Sequence, residues 1–209
     1  MRRCVIVGGG PIADYSHIRE HLLEDDFFIF CDCGLAHRDG LNVSPDLIVG
    51  DFDSHPMPYD DAAEIITLPC EKDDTDTVFA AKEALKRGFK DFLLIGAAGG
   101  RLDHTLGNVS ILLMLKKNGA NGILLDDYSI MEIVGEEPSY IDDRYRFFSL
   151  INIFGTAKDI HITGAKYNIE KAEITCDYQY GISNEVAPGA TAKVIVGEGL
   201  LLLVKILRE

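Results

Sequence analysis

The chain has 209 residues, 47% hydrophobic and 26% charged, with a formal net charge of −14. That length and composition allow one large domain or two small ones and exclude a disordered or collagen-like chain. The acidic balance, with no cluster of Lys or Arg, argues against a nucleic-acid partner, because a phosphate backbone needs a basic face.

The opening, MRRCVIVGGG, is basic, but its apolar run spans only residues 4–7 before a glycine turn, so it reads as a core strand rather than a signal peptide. No apolar run approaches the roughly 18–20 residues of a membrane span. A soluble, cytoplasmic protein is expected. Five cysteines include a lone C-x-C, Cys31 and Cys33, and no C-x-x-C pair. That argues against a disulfide framework and against a zinc ribbon.

Strand and helix signals then alternate. Residues 4–7 read as a strand, followed by Gly8-Gly9-Gly10-Pro11 and a helical pattern through Ile18, Leu22 and Leu23. Residues 27–31, 47–49 and 64–68 read as further strands. Residues 76–87 read as a helix with Val78, Ala81 and Leu85 on one face and Gly88 as its stop. A strand at 92–95, a helix at 105–117 and a strand at 122–125 follow. The alternation predicts an α/β domain, a mostly parallel sheet flanked by helices. Past residue 130 the runs are short and β-rich, at 130–134, 147–153, 157–163, 173–176, 192–196 and 200–206. They predict a smaller all-β domain, a sandwich or a barrel, with the chain divided as 1–130 and 131–209.

Ligands of open α/β sheets bind at the carboxyl ends of the strands, and four loops there carry chemistry. Gly8-Gly9-Gly10-Pro11-Ile12-Ala13 fits the loose dinucleotide pattern G-x-G-x-x-A, with Asp32 as the ribose partner of a dinucleotide or a mononucleotide. A tight strand-to-helix turn explains it equally well. Asp51-Phe52-Asp53-Ser54 places two carboxylates two residues apart. In extended backbone both point the same way. They repel unless a cation lies between them, and a single cap would need only one. Glu71-Lys72-Asp73-Asp74-Thr75-Asp76 precedes a good helix, with more acids than capping asks for. Together the two acidic loops suit oxygen ligation of Mg²⁺ with substrate phosphates. Gly96-Ala97-Ala98-Gly99-Gly100-Arg101-Leu102-Asp103-His104 combines glycines that let backbone approach a phosphate with an arginine fork. The Walker pattern, with a lysine after the glycines, does not occur.

Taken in order, Gly50-Asp51-Phe52-Asp53-Ser54, Asp73 with Thr75-Asp76, and Gly99-Gly100-Arg101-Leu102-Asp103-His104 resemble the bacterial thiamine pyrophosphokinases. The β-rich segment Gly181-Ile182-Ser183-Asn184-Glu185 is similar to that family's thiamine-side segment. The resemblance implies transfer of pyrophosphate from ATP to the hydroxyl of thiamine, giving thiamine diphosphate and AMP. It further implies Mg²⁺, a homodimer, and thiamine in a cleft shared between subunits. By position, Asp51, Asp53 and Asp76 would hold the metal and the triphosphate, supported by Asp73. Arg101 and Asp103 would flank the phosphates and the attacking hydroxyl. Gly9, Asp32, Gly34, Thr75, Gly99, Gly100 and His104 would join Asp51 and Arg101 around ATP. Lys72, Asp103, Ser183 and Asn184 would face thiamine. Cys31-Asp32-Cys33-Gly34 departs from the Ala-Asp-Gly-Gly common in the family. Either Asp103 or Asp73 could take the hydroxyl proton. Two other readings stand beside this one: a dinucleotide oxidoreductase, which leaves the acidic loops unexplained, and a non-catalytic sensor of nucleotide or thiamine.

Overall fold

A computed structural model describes residues 2–52, 63–153 and 155–207. The chain forms two compact units, Met1–Asp127 and Tyr128–Glu209.

The first unit is built on six parallel strands: β1 (Cys4–Val7), β2 (Phe27–Cys31), β3 (Leu47–Gly50), β4 (Glu64–Thr67), β5 (Asp91–Ile95) and β6 (Asn121–Leu125). Their spatial order is β4-β3-β2-β1-β5-β6. Every side chain of β1 and of residues 47–49 is fully buried. That is the signature of parallel strands covered on both faces, which read as unbroken apolar runs rather than alternations. Among the described residues four α-helices accompany them: α1 (Tyr15–Glu20), α2 (Arg38–Leu41), α3 (Asp76–Lys86) and α4 (Leu102–Lys117). Helix α3 packs on β1, β2 and β3, and its buried residues are Ala80, Ala81 and Ala84. Small side chains at those positions let the helix lie close to the sheet.

Three local expectations change. The first helix is only Tyr15–Glu20, because His21 caps it before Leu22 and Leu23 can join. A 3₁₀ turn, Asp32–His37, runs into α2 where no helix was expected. Neither piece is long enough to leave a hydrophobic period in the sequence. Helix α4 starts at Leu102, one turn before the expected Thr105, so Leu102, Asp103 and His104 are helical.

An ion pair anchors the start of β1. Asp26 is fully buried at its side chain and accepts bonds from Arg3 Nε at 2.9 Å, Arg3 Nη2 at 2.6 Å and the Leu23 amide at 2.8 Å. Removing one partner of such a pair strands the other charge. Asp26→Asn is expected to cost about 3 kcal/mol of stability by chemical denaturation. A loss within about 0.5 kcal/mol, the range of ordinary surface changes, would show that Arg3 is satisfied without it.

The second unit is antiparallel throughout. Strands β7 (Ser129–Val134), β9 (Tyr145–Ile151) and β13 (Leu201–Leu207) form one sheet in the order β7-β13-β9. Strands β8 (Ser139–Asp142), β10 (Thr156–Thr163), β11 (Ile169–Thr175) and β12 (Thr191–Glu198) form another in the order β11-β10-β12-β8. One core joins them. Phe148, Leu150, Leu201 and Leu203 come from the first sheet, and Ile160, Ile162, Ala192, Val194 and Val196 from the second. Each set is spaced by two, as sheets with one face inward require. Of the sandwich or barrel expected, this is the sandwich, and the described residues hold one strand more than expected. Ser139–Asp142 has a single fully buried apolar residue, Ile141, too little for a visible pattern.

Candidate active site

The strand order reverses beside β1. The chain proceeds from β1 through β4 to one side, then crosses to place β5 on the other. Ligand crevices of open α/β sheets lie at such switch points, and the loops after β1 and β5 meet there. They meet backbone to backbone. Gly8 N–H donates to Ile95 O at 2.9 Å and Gly10 N–H to Gly96 O at 2.7 Å. A Cβ on Gly8 would lie 2.6 Å from Gly96 O, and one on Gly10 would lie 2.7 Å from Ala98 O. Glycine is needed here so that two loops can touch.

The dinucleotide reading of Gly8, Gly10 and Ala13 does not survive this geometry. The Gly10 amide is already bonded, and α1 has only six residues. Two carboxylates guard its entry. Asp14 accepts from Ser16 N and His17 N, and Asp127 accepts from Ala13 N and Asp14 N. A pyrophosphate would meet negative charge there, not a helix N-terminus open to anions.

A cavity of about 430 Å³ opens at the switch point. Among the expected ATP-side residues, Gly9, Asp32, Thr75, Gly99, Gly100, Arg101 and His104 line it, together with Asp76. These come from four separate loops. Gly99 and Gly100 have φ of +81° and +64°, a left-handed turn open to glycine at no steric cost. Gly34, Asp51, Lys72, Asp73 and Asp103 do not line it. Gly34 answers a packing demand, since a Cβ there would lie 2.2 Å from Val7 O. Asp73 is exposed on the loop before α3.

Two lining residues escaped the sequence reading, Thr77 and Asn108. Asn108 is buried, donates to Ala97 O at 2.7 Å and accepts from Thr77 Oγ1 at 3.0 Å. It ties α3 and the glycine loop to α4. Its signal was a buried amide one helical turn after His104, on the same face.

Gly50 ends β3 in extended backbone, and a Cβ there would lie 2.9 Å from the Asp32 Cβ. The turn itself falls one residue beyond Asp51, at Phe52, which has φ +57°. The extended alternation expected of Asp51 and Asp53 therefore does not run through Phe52. Asp53 lies outside the described residues.

Asp51 meets a different carboxylate. Lys72 Nζ lies 2.5 Å from Asp51 Oδ2 and 2.9 Å from Asp76 Oδ1. The three side chains are 17%, 12% and 21% exposed for Lys72, Asp51 and Asp76. Burial works against the charge on Lys72, and its bonds to the two carboxylates more than offset that, so its pKa is raised and it stays cationic. Among the described residues no group of three His, Cys, Asp or Glu converges tightly enough to hold a metal ion. Two carboxylates do converge on one cation. Hard oxygen donors around a positive charge fit Mg²⁺, which takes one or two carboxylates and leaves its other positions to water and phosphates. The C-x-C offers no soft alternative. Burial pushes the Cys31 thiol well above its ordinary range, and the Cys33 thiol faces Asp32 Oδ2 at 3.5 Å.

Arg101 is the cation nearest the glycines. It is 71% exposed and holds Asp103 through Nη2 at 2.6 Å and Nε at 3.2 Å. The bond to Arg101 draws the Asp103 carboxyl down to about 2.

Behind the Gly10 loop sits a buried histidine. His37 Nε2 lies 2.8 Å from Gly10 O, and Nδ1 lies 2.8 Å from the Tyr15 hydroxyl. The carbonyl can only accept, so Nε2 carries the proton and the tyrosine donates to Nδ1. Burial lowers the His37 pKa, partly countered by the Gly10 bond. A neutral buried histidine contributes stability above its unfolded pKa of about 6.5 and loses it as pH falls toward the lower folded value. Unfolding measured at pH 7.5 and at lower pH is expected to show a smaller acid loss in His37→Gln than in the unmodified chain. Equal losses would remove His37 as a contributor.

In the second unit, Ser183 is exposed with φ +57°, and its amide donates to Ser149 Oγ at 3.0 Å. Asn184 is buried. Its Oδ1 accepts from Tyr167 N and Glu185 N, and its Nδ2 donates to Tyr167 O. That side chain shapes the loop that presents Ser183.

Residues 18–124 match the family model of the thiamin pyrophosphokinase catalytic domain, and residues 138–201 that of the thiamin pyrophosphokinase vitamin B1 binding domain. The chain belongs to the thiamin pyrophosphokinase family. It is thus an enzyme of thiamine diphosphate synthesis, a transferase acting on thiamine. It is 27% identical over 212 residues to the thiamine pyrophosphokinase of Bacillus subtilis, covering 98% of this chain and 99% of that one. The crystal structure of thiamine pyrophosphokinase from Bacillus subtilis superposes with a TM-score of 0.85 at 25% identity, covering 100% of both chains. That of thiamin pyrophosphokinase from Geobacillus thermodenitrificans gives 0.82 at 27% identity, covering 99% of this chain and 98% of that one. The catalytic-domain match falls within the first unit and the B1-binding match within the second.

Proposed function

We propose that this family member uses Mg·ATP as its pyrophosphate donor and releases AMP. The observation that carries the reading is the convergence of Asp51 and Asp76 on one cationic position beside a glycine- and arginine-lined cavity. An acidic protein can take a polyanion only where its carboxylates are bridged by positive charge.

The division of labour follows. Asp51 and Asp76, with Asp53, hold Mg²⁺, which when bound neutralises polyphosphate charge. Gly99 and Gly100 let the triphosphate approach the backbone, and Arg101 leaves Asp103 for phosphate oxygens. Asp32, with Gly9, faces the ribose side, and Thr75 and His104 complete the wall. Ser183 and Asn184, on the matched B1-binding domain, serve the thiamine side, and Lys72 serves the acidic pair. The thiamine hydroxyl oxygen bonds to the β-phosphorus as the bond from that phosphorus to the α–β bridging oxygen breaks, and AMP leaves with the bridging oxygen. The proton passes to Asp103 or Asp73. Once Arg101 turns to phosphate, the carboxyl of Asp103 regains its ordinary range and accepts a proton more readily. Transfer of this kind depends on positioning and charge more than on covalent chemistry.

The enzyme acts as a cytoplasmic homodimer in this reading, without nucleic-acid or membrane partners. No helix among the described residues is long and apolar enough to cross a membrane. The test is thiamine-dependent AMP formation from ATP by the purified protein with magnesium. Release of ADP, or binding of both ligands without turnover, as the sensor reading requires, would overturn it.

A further inference from the structure

Asp51 begins the loop after β3 and Asp76 begins a helix 25 residues later, yet both carboxylates lie against the same ammonium group. Two carboxylates at such mostly buried positions would repel each other and spread apart if nothing lay between them. Lys72 comes from the loop between β4 and α3, four residues before Asp76. Its stem is long enough to place a charge in the gap and flexible enough to withdraw it. Arg101, by contrast, pairs with a single, exposed carboxylate.

We propose that Lys72 is a tethered placeholder for the divalent cation. Its ammonium keeps Asp51 and Asp76 converged while the metal is away, so that the ion finds a site already shaped for it. When the metal arrives, Lys72 yields the gap and its charge turns to the incoming polyphosphate. This makes Lys72 a positioning residue. It rests on the reading of Asp51 and Asp76 as metal-holding carboxylates, and it adds a competition that the reading does not contain. Lysine and metal cannot both occupy the gap, so lysine lowers the affinity for metal alone and raises the order of the metal-free site.

The test compares the unmodified enzyme with Lys72→Met, without nucleotide, by thermal unfolding in EDTA and in MgCl₂ and by Mn²⁺ binding followed by electron paramagnetic resonance. In EDTA, Lys72→Met is expected to melt about 3–5 °C lower, because the two carboxylates lose the ammonium that lies against both. Magnesium alone should restore most of that loss while moving the unmodified enzyme little. Mn²⁺ should bind the variant about tenfold more tightly, its competitor having been removed. Equal destabilisation in EDTA and in magnesium, or unchanged or weaker Mn²⁺ binding, would overturn the proposal. Should Lys72→Met fail to fold, Lys72→Gln, which can hydrogen-bond one carboxylate without charge, carries the same expectations. Asp51→Asn and Asp76→Asn separate the two levels. If Mn²⁺ binding with ATP survives both, the metal reading has failed; if it is lost in both while Lys72→Met shows no metal-dependent rescue, the placeholder alone has failed.

Discussion

Asp76→Asn is expected to lower kcat for thiamine diphosphate formation by about 10²–10³-fold, the range seen when one preorganised electrostatic group is removed. The substitution keeps the shape of the side chain and removes its charge. It leaves the helix start standing, because the cap of α3 is Thr75, whose hydroxyl accepts from Val78 N at 3.3 Å. Losing one acid from the first turn costs only about 0.3–1 kcal/mol. The effect should therefore appear in turnover and not in the circular dichroism melt. It should also appear as weaker Mg·ATP binding, since Asp76 both lines the cavity and shares a cation with Asp51. Turnover at the unmodified rate would mean that Asp76 serves only the helix.

Arg101→Ala is expected to reduce kcat/KM for ATP by about 10²-fold or more, and Arg101→Lys to recover little of it. The reason is geometric. Arg101 presents a planar fork, at present bonded through two nitrogens to Asp103, and a polyphosphate offers the same paired oxygens. A lysine restores the charge but not the fork. Asp103 adds a second signature. Without the arginine, its carboxyl is no longer held near 2 and rises toward the usual range for aspartate. Steady-state rates with ATP varied and thiamine saturating measure the first effect. An Arg101→Lys enzyme with full activity would show that a point charge is enough.

Much of the architecture was written in hydrophobic period. The buried runs of β1, β2, β3 and β5 could be read directly, and so could the alternation that makes Val194 and Val196 of β12 or Leu201 and Leu203 of β13 core residues. The short pieces were not legible. The six-residue 3₁₀ turn after β2 and the four-residue strand Ser139–Asp142 are shorter than the period that would reveal them. The candidate site was legible where the composition is unusual. Three aspartates around Thr75, or glycines ending in Arg101, exceed what a cap or a turn requires. It was illegible where the same residue type serves packing. Gly8 and Gly10 line the cavity and also make the close contact with the Gly96 loop, while Gly34 is needed only for its contact with Val7 O. Nor could the pairing of Asp51 with Lys72 and Asp76 be read along the chain. It arises because β3 and β4 lie side by side, which brings the loops that follow them together.

In the proposed reaction the β- and γ-phosphates of ATP move together to thiamine. The most direct measurement uses ATP labelled at the γ-phosphorus, with magnesium and thiamine, and separates the products. AMP and thiamine diphosphate are expected in equal amounts, with the label wholly in the terminal phosphate of thiamine diphosphate. Label in a thiamine monophosphate, with ADP as the partner product, would contradict it.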